Sequence, residues 1–491
     1  MSLAQKVFHN TLIQIGGKVI STILGIFSIA LITRYLGPRG FGEYTTVITF
    51  LTFFAVASDF GLTLVTSQMM SSSSENESKV LNNLFGLRLI SSLLILLLAP
   101  IVIWFFPYEL NVKLGVLISF IAFLFPALNQ ILIGLFQKKL SMGRNTLAEL
   151  ISRLALIIGI VLALKMSAGL TGILLATVLS GLVSFLIHYL LAIKFLVIKP
   201  AFDWPIWRKI FDKSWPLTIT IVLNLIYLRA DILLLSLFKQ VEEVGLYGAA
   251  YKIIDICTSI PFMFAGLILP ILSTAWTERR PQHFQVVLQK SFDFMVILAI
   301  PLVIGSQFLA TPVMRFAAGS EFIASGAILQ VLIFAVAAIF MGTMFSHAVI
   351  ALNQQKKMIT FYVLTSLSAL IGYLVFIPLF SYFGAALVTI YSETMIAIFS
   401  ARCVFKYSHF LPNLKIFKKS LLSSLLMALF LYFFSSPYQN TLGGLIAILI
   451  IACLIYFLML YFIGGIKRVD LNQIGEQTNR PAGPIYNPNL N

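Results

Sequence analysis

Charge is what this chain has least of. Only 11% of its 491 residues are Asp, Glu, Lys or Arg, while 59% are hydrophobic. Soluble domains carry about 25% charged and about 45–50% apolar residues. So little charge cannot cover a water-facing surface, and lipid is the solvent this sequence is built for. Cysteine is nearly as scarce: Cys257, Cys403 and Cys453 each lie inside an apolar run. None has C-x-x-C or Cys/His ligand spacing, so nothing indicates a metal site or an oxidising compartment. Five tryptophans are too few for an interfacial belt, which leaves that role mainly to the 17 tyrosines. There is no phosphate-binding Walker loop, no H-E-x-x-H and no G-x-S-x-G. The sequence therefore implies no ATP drive, no enzyme activity and no cofactor.

What is present is a series of apolar runs, each near the ~20 residues needed to span a bilayer as a helix. They fall at 12–35, 44–70, 84–106, 114–137, 146–165, 170–193, 214–238, 246–276, 291–312, 323–352, 358–380, 382–405, 417–436 and 441–465. The fold class expected is an all-α integral membrane protein of about 14 transmembrane helices. The first run is long and leads into GPRGFGEY without a small-residue cleavage site, so it reads as a retained helix rather than a signal peptide.

The net charge of +16 would suggest nucleic acid in a soluble protein, but its placement argues otherwise. With the N-terminus inside, 23 of the 34 Lys and Arg fall on the cytoplasmic side and six on the other: Arg34, Arg39, Lys113, Lys165, Lys239 and Arg315. That bias predicts cytoplasmic termini at both ends. The acidic second loop, SSSSENESK, weighs little against it. No connector exceeds roughly the length of 194–213, and the tail ending RPAGPIYNPNLN is polar. All function must therefore lie in the helix bundle.

The chain also repeats itself. RYLGPRGFGEYTTVITF follows the first run and LFKQVEEVGLYGAAYKI the seventh; aligning Gly42 with Gly245 aligns Tyr44 with Tyr247. GILLATVLS matches GAALVTIYS, pairing Thr177 with Thr389 and Ser180 with Ser392. The expected organisation is an N-terminal six-helix lobe (1–198), a cytoplasmic connector (199–213), a C-terminal six-helix lobe (214–408), a further helix pair (409–466) and a polar tail (467–491). Six being even, the lobes insert the same way round, as parallel repeats that can rock about a central site.

Ionisable groups inside spans cost at least ~2.5–3.5 kcal/mol each, so they are the functional candidates. The cations are Arg88, Arg153, Arg229, Lys252 and Lys18, spread over five helices in both lobes. The first four are assigned to a cationic cavity between the lobes. Asp59, Glu149, Asp231, Asp255, His347 and Glu393 are assigned to tuning those cations or to binding a proton or sodium ion. Glu149 and Arg153 share a face at i,i+4, as do Lys252 and Asp255 at i,i+3. Arg88, Lys18, His188 and Asp293 lie near span ends, where side chains can also snorkel to headgroups. Pro126, Pro261, Pro270, Pro301 and Pro378 interrupt spans and favour kinks. A cationic cavity predicts an anionic cargo, and Arg suits phosphate because its planar fork bonds bidentately.

At RYLGPRGFGEY and RADILLLSLFKQVEEVGLYGAAYKI the sequence resembles the Wzx-type polysaccharide flippases of the multidrug/oligosaccharidyl-lipid/polysaccharide exporter superfamily. The resemblance runs through essentially the whole chain in helix number and short loops. It implies translocation of an undecaprenyl-pyrophosphate-linked oligosaccharide across a bacterial cytoplasmic (inner) membrane for surface polysaccharide such as O-antigen. Membrane lipid, a polysaccharide polymerase and chain-length proteins are the implied partners. Lipid II flippases share that fold, but their first-lobe motifs are not matched. Two other classes compete: an ion-coupled multidrug antiporter, which would favour an acidic aromatic cavity, and a membrane enzyme or scaffold of polysaccharide assembly, which would not need cations in mid-membrane.

Overall fold

In hydrocarbon every backbone N–H and C=O must find a partner within the protein, which leaves helices as the way for apolar runs like these to cross. The computed structural model describes residues 3–63, 65–66, 69, 77–434 and 441–465, and among them the regular elements are helices only. In chain order they are α1 (Leu3–Ala57), α2 (Glu77–Val102), α3 (Leu110–Lys138), α4 (Met142–Lys165), α5 (Gly169–Ala192), α6 (Trp204–Phe238), α7 (Val241–Thr277), α8 (Pro281–Ala317), α9 (Ala324–Ala351), α10 (Gln355–Ser408), α11 (Lys415–Phe434) and α12 (Leu442–Phe462). Eleven are long and apolar enough to cross a membrane. Two are double: α1 turns at Gly37 (φ 64°) and α10 at Ser381 (φ 51°), each into two limbs. Counting limbs, the twelve described helices give fourteen helical segments.

Both turns have a local cause. Gly37 takes the left-handed conformation at little cost, and Pro38 suits the first turn of the limb that follows. Ser381 has no such freedom, and neighbours hold it: its hydroxyl donates to Glu243, and Lys239 Nζ donates to the Pro378 carbonyl at 3.0 Å. The two limbs of α10 then pack antiparallel. Phe361 stacks on Phe399 at 4.5 Å, and Tyr373 bonds Thr389 at 3.1 Å.

The limbs gather into two six-helix lobes. Leu81, Leu128, Ile131 and Phe136 centre one N-lobe core, and Val47, Leu51, Val116 and Leu174 another. Tyr247, Phe284, Met295, Phe340 and Tyr373 centre the C-lobe core. The connector is fastened to α2: Asp203 N donates to Asn83, Ala201 N to the Asn82 carbonyl, and Lys79 pairs with Asp203 at 2.7 Å. That hydrogen bond holds the Asp203 carboxyl below the usual carboxylate range. The end of the bundle carrying Lys79, Lys138, Lys139, Arg208 and Lys209 is here the basic end, and the opposite one the far end. α7 remains one helix through Pro261 and Pro270.

The last pair, α11 and α12, docks on α8 through Leu309, Met427, Ile448 and Tyr456. One bond explains the placing. Pro301 has no N–H, so the Ile297 carbonyl one turn earlier loses its helical donor. Tyr456 Oη donates to that carbonyl at 2.8 Å and lies 2.6 Å from Ser420 Oγ. Tyr456→Phe strands the carbonyl and should lower stability by about 1–2 kcal/mol. Thermal unfolding in detergent reads the change; an unshifted midpoint would remove this bond from the account.

Candidate binding site between the lobes

The second limb of α1 and the start of α7 are the repeated segments, and they cross each other at equivalent positions. A Cβ on Gly42 would lie 1.9 Å from the Val241 carbonyl oxygen, and one on Gly245 would lie 2.0 Å from the Pro38 oxygen. The two contacts are mirror statements of one register, so a pseudo-two-fold axis passes between the glycines. Gly248 continues the contact, with Thr45 Cγ2 2.7 Å from its would-be Cβ. Other bonds tie the lobes at this far end. Arg34 Nη2 donates to the Phe316 carbonyl at 2.6 Å, Phe41 meets Phe322 edge-on, and Tyr108 and Ser236 hydroxyls lie 2.8 Å apart. Nearer the basic end, Gly16 and Gly266 face open space instead.

Below the crossing lies a small cavity of about 20 Å³. Tyr44, Thr45, Ile48 and Thr49 of α1 form one wall; Arg229 and Ile232 of α6 with Gly248, Tyr251, Lys252 and Asp255 of α7 form the other. Arg229 Nη2 donates to Asp255 Oδ1 at 2.8 Å, and its guanidinium sits 5.1 Å over the Tyr251 ring. The side chains of Arg229 and Asp255 remain about one-third exposed, at 31% and 33%. Arg229 is thus aimed and held, with N–H groups left over: a guanidinium has five, and this bond uses one.

Lys252, one turn from Gly248, is different. Among the described residues it has no hydrogen bond or ion pair, although Asp255, Arg229 and Arg153 all lie within electrostatic reach. Arg153 on α4 is equally without a bonded partner among the described residues. Its Nη1 lies 3.9 Å from where a Cβ on Gly25 would stand, and its field reaches Tyr44 as well as Lys252. Like charges from opposite lobes, inside a low-dielectric bundle and with no bonded counter-ion, repel each other, and an anion between them relieves that repulsion.

The other charged candidates lie elsewhere. Arg88 is buried away from the cavity in an ion pair with Asp59 at 2.5 Å. The reason is local: α1 ends in an irregular turn at Ser58–Gly61, with Phe60 and Gly61 at positive φ. Arg88 donates to the Ser58 carbonyl at 3.4 Å and to the Ala127 carbonyl at 3.1 Å, and Thr63 donates to Asp59 at 2.5 Å. Glu149 does not pair with Arg153; it accepts from Ser21 Oγ at 2.8 Å. His347 Nδ1 lies 2.9 Å from the Thr343 carbonyl. His188 is buried against Asn145 and Ser184, while Lys18 is exposed.

Asp231 and Glu393 lie behind the cavity, inside the C-lobe. Asp231 is fully buried and accepts from Tyr247 Oη at 2.7 Å, from Ile232 N at 2.8 Å and from Thr389 Oγ1 at 3.5 Å. Glu393 is buried with Oε1 unbonded. Of the assigned set, the structure therefore brings Arg229, Lys252 and Asp255 to one cavity with Arg153 in range, and leaves Arg88 and Asp59 in a separate pair. Sequence reasoning did not single out Tyr251, Thr45 or Thr49. The Tyr44/Tyr247 alignment was the available signal, since Tyr251 is one turn further along the same face.

A comparison with protein-family models matches residues 7–276 to a family described as polysaccharide biosynthesis protein. No curated protein matches the chain. Among solved structures, the chain is similar to the lipid II flippase MurJ in an inward closed conformation, with a TM-score of 0.74 at 19% identity over 91% of this chain and 98% of that one. It is also similar to an inward-facing multidrug resistance MATE family transporter of the MOP superfamily, with a TM-score of 0.63 at 14% identity over 85% and 96%. A MOP superfamily transporter from Pyrococcus furiosus gives 0.54 at 14% identity over 88% and 95%. At these identities the likeness establishes the fold.

Proposed function

The chain belongs to the polysaccharide biosynthesis protein family, and on that premise we propose that it is a flippase for lipid-linked oligosaccharide repeat units. The cargo in this reading is an undecaprenyl-pyrophosphate-linked oligosaccharide, carried from the inner to the outer leaflet of a bacterial cytoplasmic membrane for surface polysaccharides such as O-antigen. Both termini lie in the cytoplasm. The observation that carries the reading is Lys252 at the cavity with Arg153 of the other lobe within electrostatic reach, neither bonded to a counter-ion among the described residues. A pyrophosphate supplies the missing charge, and Arg229 can add bidentate bonds to it. The Tyr44, Thr45, Thr49 and Tyr251 side chains that line the cavity give sugars hydroxyl and aromatic partners. The prenyl tail stays in lipid.

Mechanistically, the far end is shut by the Gly42/Gly245 crossing. Rocking the lobes about that pseudo-two-fold axis opens the far end while closing the basic end. Binding an anion between Arg153 of one lobe and Lys252 and Arg229 of the other draws the lobes together, and so links occupancy to the rocking. The chain performs no bond chemistry in this scheme; a polymerase and chain-length proteins act on what it delivers. A multidrug antiporter reading fits poorly, because an organic cation would meet like charge here.

The test is a lipid extract from cells that lack this protein but keep the sugar transferases. Single completed units on prenyl pyrophosphate should accumulate in the cytoplasmic leaflet. An extract without them, together with altered drug sensitivity, would favour the antiporter.

A further inference from the structure

The two repeats cross at equivalent positions but carry different chemistry there. The alignment that pairs Gly42 with Gly245 also pairs Thr45 with Gly248, Thr49 with Lys252 and Thr52 with Asp255. The spacing on each helix is i, i+4, i+7, so each set lies along one face. Thr45 and Thr49 line the cavity from α1, and Gly248, Lys252 and Asp255 line it from α7. At this seam α7 presents charge where α1 presents hydroxyl groups.

Two of those hydroxyls are unspent. A threonine inside a helix can donate to the carbonyl one turn back, and Thr46 and Thr52 do so, to Gly42 at 2.9 Å and to Ile48 at 2.7 Å. Thr45 and Thr49 do not. Thr45 is 3% exposed, and its Oγ1 is buried with no hydrogen-bond partner. Its repeat mate Gly248 brings no side chain to meet it; a Cβ there would stand 2.8 Å from Thr45 Oγ1. Thr49 is 7% exposed and has no hydrogen bond among the described residues. Burying a hydroxyl without a partner is unfavourable, and valine has nearly the same shape without that cost. At about 20 Å³ the cavity has room for about one water, so no sugar reaches either hydroxyl while the crossing is closed.

We propose that the two walls divide the cargo: Lys252 and Arg229 hold the pyrophosphate, and Thr49, with Thr45 beside it, reads the sugar joined to it as the crossing opens. Thr49 is then the specificity-determining residue of the site. A hydroxyl both donates and accepts, so it matches a sugar hydroxyl or acetamido group. Threonine brings no charge, so the pull on the diphosphate stays with the cations. A site that offers such a bond favours the cargo carrying the matching polar group over one that lacks it. This inference rests on the flippase reading and adds which wall selects the cargo.

Equilibrium binding to the purified full-length protein tests it, with a short-chain prenyl pyrophosphate beside the same carrier bearing one hexose or one N-acetylhexosamine. Wild type should bind one of the glycosylated carriers more tightly than the bare one. Thr49→Val should lose about tenfold of that preference, the worth of one hydrogen bond. The loss should fall on the glycosylated carrier, and Thr49→Ser, which keeps the hydroxyl, should keep the preference. Thr45→Val should weaken the preference too, yet melt no lower than wild type, because the closed state loses no bond. Equal loss for bare and glycosylated carriers in Thr49→Val, an unchanged preference, or a lower melting temperature for Thr45→Val would overturn the proposal. So would a wild type that binds the bare and glycosylated carriers equally. A wild type that binds no carrier removes the flippase reading, and this inference with it.

Discussion

Lys252→Ala and Arg229→Ala should each weaken headgroup binding by about 2 kcal/mol, roughly thirtyfold, with surface-polymer export falling while protein level holds. The magnitude is that of a charge-assisted hydrogen bond lost from a partly buried site. The two variants should differ in stability. Lys252 has no bonded partner among the described residues, so removing it relieves the cost of a buried charge and the repulsion from Arg229 and Arg153 against the loss of attraction to Asp255, and should leave the melting temperature unchanged or higher. Removing Arg229 leaves Asp255 without its ion-pair partner and uncovers Tyr251, so that variant should be less stable as well as weaker in binding. Arg229→Lys should restore charge but only part of the affinity, because an ammonium lacks the planar fork. If export and stability fell together in both variants, the cavity would be a structural feature.

Arg88→Leu should be the most destabilising single change, by about 3–5 kcal/mol, because it leaves the half-buried Asp59 charged without its ion-pair partner. It also removes the donors to the Ser58 and Ala127 carbonyls where α1 breaks. Denaturation of the purified variant in detergent reads the loss. Asp59→Leu combined with Arg88→Leu should recover much of it, since an apolar pair of similar volume is often no worse than a buried ion pair. Pyrophosphate binding by whatever folded Arg88→Leu protein remains should match the wild type. A binding defect without a stability defect would return Arg88 to the cargo site, where its mid-membrane charge first placed it.

That reassignment shows where the sequence stops being informative. The spans, the two-lobe repeat and the positions of the cations are all legible, because hydropathy and charge are properties of the residues themselves. The Gly42/Gly245 alignment marks equivalent positions of the repeat, and the structure places both glycines in the same backbone crossing. Pairing is another matter. Arg88 and Asp59 come from different helices, and only the broken turn at Phe60–Gly61, which reads as ordinary apolar sequence, brings them together. The i,i+4 spacing of Glu149 and Arg153 suggests mutual neutralisation, yet Ser21 of α1 supplies Glu149 with its bond and leaves Arg153 without a bonded partner among the described residues. Periodicity places residues on a face of their own helix; the neighbouring helix decides what they meet there.

The most direct test of an anionic cargo is equilibrium binding of a short-chain prenyl pyrophosphate to the purified full-length protein, measured beside a prenyl alcohol and an organic cation. The account predicts that the pyrophosphate binds, that the alcohol and the cation do not displace it, and that Lys252→Ala weakens it about thirtyfold. Equal affinity for the pyrophosphate in wild type and Lys252→Ala, or preferential binding of the cation, would contradict it.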